Sequence, residues 1–394
     1  MRILLANEAR QGGGGVETYL ASLVPQLEAR GHAVALLYAN SAVQTGPMAI
    51  VSATSWSVAD EGLERAIAGV RTWRPDVCFS HNMRALDVDE ALCAAWPTFK
   101  MMHGYFGACL SGHKAFSFPT LTPCPRVCGA GCLVFYLPRH CGQLRPDVMA
   151  AQFSWSMRQQ RLFGGYAGIV VASDHMRREY LRYDIPPDRL HAIPLFAGGN
   201  RHGPGADAPA IDVLFLGRMT PLKGPVVLVR AVHHAARELR RPLRMVLAGE
   251  GPERPHLEQL AVTLGAGGLL TAEFTGWVDA AARAALLSRA SLVAVPSIWP
   301  EPFGLVGLEA AQFGVPAVAF DVGGIREWLT DDVNGRVADL SGGAASLGDA
   351  IAGVLGDATT QARLARGARE TAARLSADAH VTSLEHILVG APAA

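Results

Sequence analysis

The sequence predicts an α/β protein built from two doubly wound parallel-sheet domains. Three observations point there. Short apolar runs alternate with longer amphipathic segments, the alternation restarts after a Gly- and Pro-rich stretch, and half of the 394 residues are apolar against 18% charged. Such a composition can bury sizeable cores and excludes a disordered chain. At roughly 150 residues per domain, the length reads as two domains.

Residues 3–6 read as a strand buried on both faces, and 16–30 as a helix stopped at Gly31. A second apolar run covers Ala33–Tyr38. The pattern recurs at 77–79, at Thr98–Met102 and at 169–172, the last followed by a helix over 174–183. Uniformly apolar strands, each followed by a helix, mean a parallel sheet. From 197 to 210 the chain reads AGGNRHGPGADAPA, the composition of a linker. Beyond it, 213–216, 245–248, 273–275, 292–295 and Ala317–Phe320 read as strands, and 226–240 as a helix. The expected organisation is an N-terminal domain over 1–197, a linker over 198–210 and a second domain over 211–375, with a cleft between them. A C-terminal helix within 376–394 is free to pack back on the N-terminal domain.

Lys+Arg and Asp+Glu are 35 each, so a globally basic nucleic-acid binder is excluded and no nucleic-acid partner is expected. Only three of the basic residues are lysines, Lys100, Lys114 and Lys223. No apolar run reaches the roughly 18 residues of a membrane span. The opening MRILLANEAR is too short and too interrupted for a signal peptide, so a cytoplasmic location is expected.

In open parallel sheets, ligands bind at the carboxyl ends of strands, beside helix N-termini. Three motifs occupy such loops. The first, QGGGGVE from Gln11 to Glu17, lets backbone approach an anion closely, or is simply a mobile loop tip. The second, GRMTPLKG, places Arg218 and Lys223 five residues apart after a strand, two cations suited to a diphosphate. The third runs PSIWPEPFGLVGLEAAQFGVPAVAFDVGG from Pro296 to Gly324. Glu301 precedes a helix opened by Phe303 or Gly304, and Glu309 lies two turns in, placed to clamp a ribose diol.

Together, Gly14-Gly15-Val16-Glu17, Gly217-Arg218 with Lys223-Gly224, Gly249-Glu250-Gly251-Pro252 and the Glu301–Glu309 pair resemble the retaining, nucleotide-sugar-dependent glycosyltransferases of family four. The resemblance covers nearly the whole chain in the family's motif order and implies the GT-B fold of two Rossmann-like domains. It implies that Arg218 and Lys223 bind the donor diphosphate and Glu309 the ribose. Glu301 and the backbone of Phe303, Gly304 and Leu305 hold the donor sugar, while Gly14, Gly15, Glu17, Gly217 and Gly249 line the donor site. Trp277 and Val278 meet the nucleobase, and His103 stands beside the transferred sugar. The implied reaction moves a sugar, with retention, from a nucleotide-sugar donor to a glycan, lipid-linked or small-molecule acceptor. No catalytic metal or other cofactor is expected, because the two cations and helix N-termini replace it. A sugar-nucleotide epimerase and a non-catalytic nucleotide-sugar or glycan-binding protein are the alternatives.

A Cys-rich insertion covers about 104–146. It holds Cys109, Cys124, Cys128, Cys132 and Cys141, with His113 and His140 nearby. Such spacings suit a structural zinc ion or iron–sulfur cluster, one or two disulfides, or inert buried thiols. Aromatics and arginines in 153–166 and 176–183 suit either peripheral contact with the inner face of a membrane or an ordinary amphipathic helix.

Overall fold

The computed structural model describes residues 1–12, 14–41, 48–198 and 211–390. Gly13, linker residues 199–210 and the 391–394 tail, to which parts of the sequence reading refer, lie outside the described residues. The chain divides into two units, Met1–Phe118 with Cys124–Gly198 and Ala377–Ala394, and Pro119–Pro123 with Gly199–Ser376.

In the first unit Arg2–Asn7 forms β1, whose residues from Ile3 onward are buried. It pairs in parallel with β2, Ala33–Tyr38, and on its other side with the strand Val77–Ser80, in the register Leu4↔Ala35 and Leu4↔Cys78. Both flanks being strands, and both faces covered, the central residues Ile3–Ala6 of β1 need to be apolar. Adding β3 (Thr54–Ser57), β4 (Val77–Ser80), β5 (Thr98–Met102), β6 (Gly168–Val171) and β7 (Leu190–Ala192) gives a seven-stranded parallel sheet in the order β7-β6-β5-β4-β1-β2-β3. The two edge strands escape a reading of apolar runs. Only one residue in each is buried, because an edge has fewer neighbours to satisfy.

Helix α1, Gly15–Ala29, follows β1 and buries Tyr19, Leu20, Leu23, Val24 and Leu27, a 3–4 spaced stripe. Asp174–Tyr180 is a helix whose first turn is closed by Ser173, its Oγ accepting from the Met176 amide at 3.2 Å. The last helix, Ala377–Val389, packs on α1 within the first unit. Glu385 bonds His32 at 2.7 Å and Arg30 at 2.5 Å, and Tyr19 Oη bonds His380 Nε2 at 2.8 Å.

The second unit repeats the scheme. β8 (Ile211–Leu216), β9 (Leu243–Ala248), β10 (Leu270–Gly276), β11 (Ala290–Val295), β12 (Ala317–Phe320) and β13 (Gly335–Ala338) form a parallel sheet in the order β10-β9-β8-β11-β12-β13. The helix Pro225–Leu239 after β8 buries Leu228, Val229, Ala231, Val232, Ala235 and Ala236, packing on β9, β10 and the helix Gly343–Leu355. Two parallel α/β sheets therefore carry the chain, as its alternation of apolar runs and helices requires.

Candidate active site

Three strand ends of the second unit are stitched by their glycines. The Gly217 amide donates to the Ala248 carbonyl at 3.0 Å, and the Gly249 amide to that of Gly276 at 2.7 Å. Arg218 follows β8, exposed and paired with no carboxylate among the described residues. Pro221–Lys223 makes one tight turn, and Gly224, at φ +65°, starts the next helix. A Cβ there would stand 2.0 Å from the Pro296 carbonyl oxygen, so only glycine lets the Lys223 loop lie against the loop after β11. The Ile298 amide donates to Leu222 O at 2.9 Å and fixes that contact.

This lacing brings Lys223 to Glu301 across 78 residues of sequence. Nζ lies 2.5 Å from Oε1, the same oxygen accepts from Ser297 Oγ at 2.5 Å, and the ammonium sits 5.3 Å over the Trp299 ring. Glu301 is buried, so the pair is a poised charge couple at the strand ends. Phe303 is buried and its carbonyl accepts from Trp328 Nε1 at 2.7 Å. Gly304, at φ +87°, then opens the helix Leu305–Gln312 with no side-chain cap, which leaves first-turn amides available to an anion or a hydroxyl. On that helix Glu309 accepts from Arg283 Nη1 through Oε1 at 2.9 Å, while its buried Oε2 has no partner among the described residues. Burial raises this carboxyl above its ordinary range, with Arg283 pulling the other way. Trp277 is exposed and Val278 half-buried just past β10.

In the first unit Gly14 starts α1, and Glu17 folds back over the glycine loop, so that a Cβ on Gly14 would lie 2.6 Å from its Oε2. Asn7 Nδ2 reaches Glu17 Oε1 at 3.4 Å. His103 follows β5, and its Nε2 is 3.1 Å from His81 Nδ1, with the Tyr19 ring edge-on at 5.5 Å. Burial first, then Lys100 and His380, lowers His103 to about 3, so its imidazole is neutral at physiological pH.

Two family models cover the chain in succession, Glycosyltransferase Family 4 over residues 13–196 and Glycosyl transferases group 1 over 200–371. The chain belongs to glycosyltransferase family 4. Among relatives of this family 4 chain, the D-inositol 3-phosphate glycosyltransferase of Xylanimonas cellulosilytica is 38% identical over 197 residues, 49% of this chain and 45% of that protein. The enzyme of the same name from Saccharomonospora viridis is 35% identical over 53% of this chain and 52% of its own length. The chain thus spans about half the length of the curated relatives it matches. Anabaena HepE, solved in complex with UDP and glucose, superposes with a TM-score of 0.70 at 18% identity over 99% of this chain and 100% of that one. That likeness shows the shared GT-B fold.

In the cysteine insertion of this family 4 chain nothing supports the expected structural metal. Among the described residues, no group of three or more His, Cys, Asp or Glu side chains is arranged to hold an ion, and all seven cysteines are free thiols. Polar side chains organise the loop instead. Buried Lys114 binds Glu179 at 3.0 Å and also bonds the Arg126 carbonyl. Tyr183 Oη donates to Ala108 O at 3.0 Å and accepts from the Cys128 amide at 2.8 Å. Gln160 donates to Gly107 O at 2.8 Å and Cys128 O at 3.2 Å. Cys109 accepts from the Lys114 amide, Cys141 turns to Phe135 O, and Cys132 turns to Val127 O and to the Cys128 thiol, while Cys124 is half-buried.

Two of the three lysines are therefore structural. Lys114 holds the loop, and buried Lys100 binds Asp89 at 2.7 Å and Ser80 at 3.0 Å, with Tyr166 also on Asp89. Asp89 is thereby fully engaged and buried, while Asp87 on the same helix is exposed. Three of the five arginines in the segments read as membrane-facing are engaged within the chain, Arg158 with Glu90 at 2.6 Å, Arg182 with Glu179 at 3.0 Å and Arg177 with the Leu190 carbonyl at 3.2 Å. No helix among the described residues is long and apolar enough to cross a membrane. His81, Arg283 and Ser297 escaped the sequence reading. Each is tied to its partner by the fold, and only Ser297, four residues before Glu301, left a local signal.

Proposed function

We propose that the protein is a retaining glycosyltransferase that moves a sugar from a nucleoside diphosphate sugar to a hydroxyl of a glycan, lipid-linked or small-molecule acceptor. The observation that carries this reading is the Lys223–Glu301 couple beside the uncapped start of the helix Leu305–Gln312. An incoming diphosphate competes for Lys223 and takes Arg218 as a second cation. The released Glu301 carboxylate then accepts from a hydroxyl of the donor sugar, and the first-turn amides hold further donor oxygens. Glu309, with one oxygen already on Arg283, offers Oε2 to a ribose hydroxyl. Gly14, Gly15 and Glu17 take the family's glycine-loop place, and neutral His103 the place of its active-site histidine.

In the reaction the bond from the anomeric carbon to the phosphate oxygen breaks. A bond from that carbon to the acceptor oxygen forms on the same face, and the acceptor's proton passes to the leaving phosphate oxygen. Negative charge grows on the diphosphate as the bond breaks. Arg218, Lys223 and the helix amides stabilise it more in the transition state than in the ground state, which is the condition for catalysis. The two relatives are named for inositol 3-phosphate, which supports a small polyol among the acceptor classes.

A thermal-shift panel of UDP, GDP, ADP, TDP and CMP with their common sugar conjugates tests the donor site. A ligand at a hundred times its Kd stabilises the fold by about 2.7 kcal/mol. One nucleotide family is expected to stand out, and Lys223→Ala to abolish its shift. No shift from any nucleotide overturns the donor reading. Release of an epimerised nucleotide sugar without acceptor moves the epimerase alternative ahead.

A further inference from the structure

Within the first unit a small concavity, about 270 Å³ counting the open solvent at its mouth, lies at the carboxyl ends of the adjacent parallel strands β4 and β5. Its lining includes His81 and Arg84 after β4, His103 and Phe106 after β5, and Trp155 from the helix Pro146–Leu162. Two features are unexplained by the fold itself. The first is His81. It is 1% exposed, its Nδ1 is engaged with His103, and its Nε2 is buried with no partner among the described residues. A buried, unpartnered ring nitrogen is costly unless a polar ligand completes it.

The second is Arg84. Its guanidinium lies 5.6 Å from the Phe106 ring centroid and 5.7 Å from that of Trp155. The backbone beneath it is held at three points. Trp155 Nε1 donates to Arg84 O at 2.8 Å, the Arg84 amide donates to Glu8 Oε2 at 2.8 Å, and the Asn82 amide donates to Asn7 Oδ1 at 3.2 Å. The side chain is exposed and pairs with no carboxylate among the described residues. Aromatic faces favour a guanidinium by cation–π attraction and restrict its motion, while its N–H fork stays available. A restrained, unpaired fork at the mouth of a concavity whose lining surface is largely apolar matches the two oxygens of a phosphate or carboxylate.

We propose that this pocket is the acceptor subsite and that it selects acceptors bearing an anionic group. Arg84 holds the phosphate or carboxylate, and His81 Nε2 and His103 hydrogen-bond the hydroxyl-bearing ring. The word acceptor rests on the transferase reading; the anion site does not.

Isothermal titration of the full chain tests it with three pairs of probes. These are myo-inositol against inositol 3-phosphate, glucose against glucose 6-phosphate, and glucose against glucuronate. The charged member of at least one pair is expected to bind ten-fold or more tighter than its neutral partner. The phosphate pairs against the glucuronate pair separate the two anion chemistries. Arg84→Ala is expected to erase the preference, and Arg84→Lys, a point charge without the fork, to restore only part of it. Melting temperatures of both variants check that the fold is intact. Equal affinity for charged and neutral probes, no binding of any probe, or an undiminished preference in Arg84→Ala overturns the proposal. Nucleoside diphosphate binding, measured on the same samples, separates the two readings. If nucleotides fail while charged sugars bind, the donor reading falls and the anion subsite stands; the converse leaves a donor site and no such subsite.

Discussion

Glu309 has two oxygens in different circumstances, one on Arg283 at 2.9 Å and one buried without a partner among the described residues. Its carboxyl is raised above 4.5 chiefly by burial. A raised carboxyl binds its proton more tightly when folded. The stabilisation from that proton is fully present below 4.5 and is lost as pH rises through the raised folded value. Glu309→Gln keeps an oxygen for Arg283 and removes the buried charge. Its melting temperature is expected to match or exceed wild type at pH 8, with a flatter pH dependence upward from 4.5. Its nucleoside diphosphate affinity is expected to fall about ten-fold or more, since a hydrogen bond to a charged group contributes about 1.5–3 kcal/mol. Unchanged nucleotide affinity in a titration refutes the ribose role. The spacing of Glu301 and Glu309 was legible in the sequence. What each carboxylate touches was not, because Arg283 lies 26 residues from Glu309 and Lys223 lies 78 from Glu301. Contacts of that range are made by strand order, which no local window contains.

At the scale of elements, the central strands were readable because burial on both faces demands continuous apolar side chains. The edges Thr54–Ser57, Leu190–Ala192 and Gly335–Ala338 were not, since half-buried strands carry too few apolar residues to form a run. The cysteine insertion is hard to read for the opposite reason. Its local spacing is conspicuous, yet the loop is organised by Lys114 reaching Glu179, 65 positions later in the chain. Lys114→Met leaves the Arg126 carbonyl without its donor, while Glu179 keeps Arg182. Breaking one side of a buried pair costs about 3–5 kcal/mol, and the surviving Arg182 contact places this case at the lower end. Denaturant unfolding is expected to show that loss, whereas a chelator is expected to leave the wild-type melting temperature where it was. A chelator-induced drop reinstates the metal. Gly224→Ala tests the donor loop in the same way. The left-handed backbone costs about 1–2 kcal/mol, and the contact with the Pro296 carbonyl adds to it. Weakened nucleotide binding with a modest stability loss is expected, and wild-type affinity for nucleotides contradicts the lacing of the two loops as the basis of the site.

Acid should act on the whole molecule unevenly. The first unit buries His81 and His380 and half-buries His103, one after β4, one on the C-terminal helix and one after β5. Burial holds all three below 6.5, His103 at about 3, His380 at about 4 and His81 well below. The unfolded chain takes up these protons near 6.5 and the folded chain refuses them. The stability they confer is therefore complete above 6.5 and is lost as pH falls from there toward the folded values. One proton is worth about 1.4 kcal/mol per pH unit, so three set a slope of up to about 4 kcal/mol per unit. All seven cysteines lie in the first unit, which makes thiol labelling a reporter of that unit alone. Pulsed labelling of buried Cys78 in denaturant, with a disulfide reagent that reacts in acid, is expected to show its midpoint dropping between pH 7 and pH 5. The tryptophans of the second unit, Trp277, Trp299 and Trp328, report the other half of the chain, where the drop should be smaller. His380 is fixed on both ring nitrogens, Nδ1 to Pro194 O at 2.7 Å and Nε2 to Tyr19. His380→Gln cannot charge, so it should remove about one proton's share of the slope while lowering stability at pH 8 through the lost bonds. If the Cys78 midpoint holds steady between pH 7 and pH 5, these imidazoles are not buried neutral. The role of His103 as a neutral hydrogen-bonding group beside the proposed acceptor then fails with them.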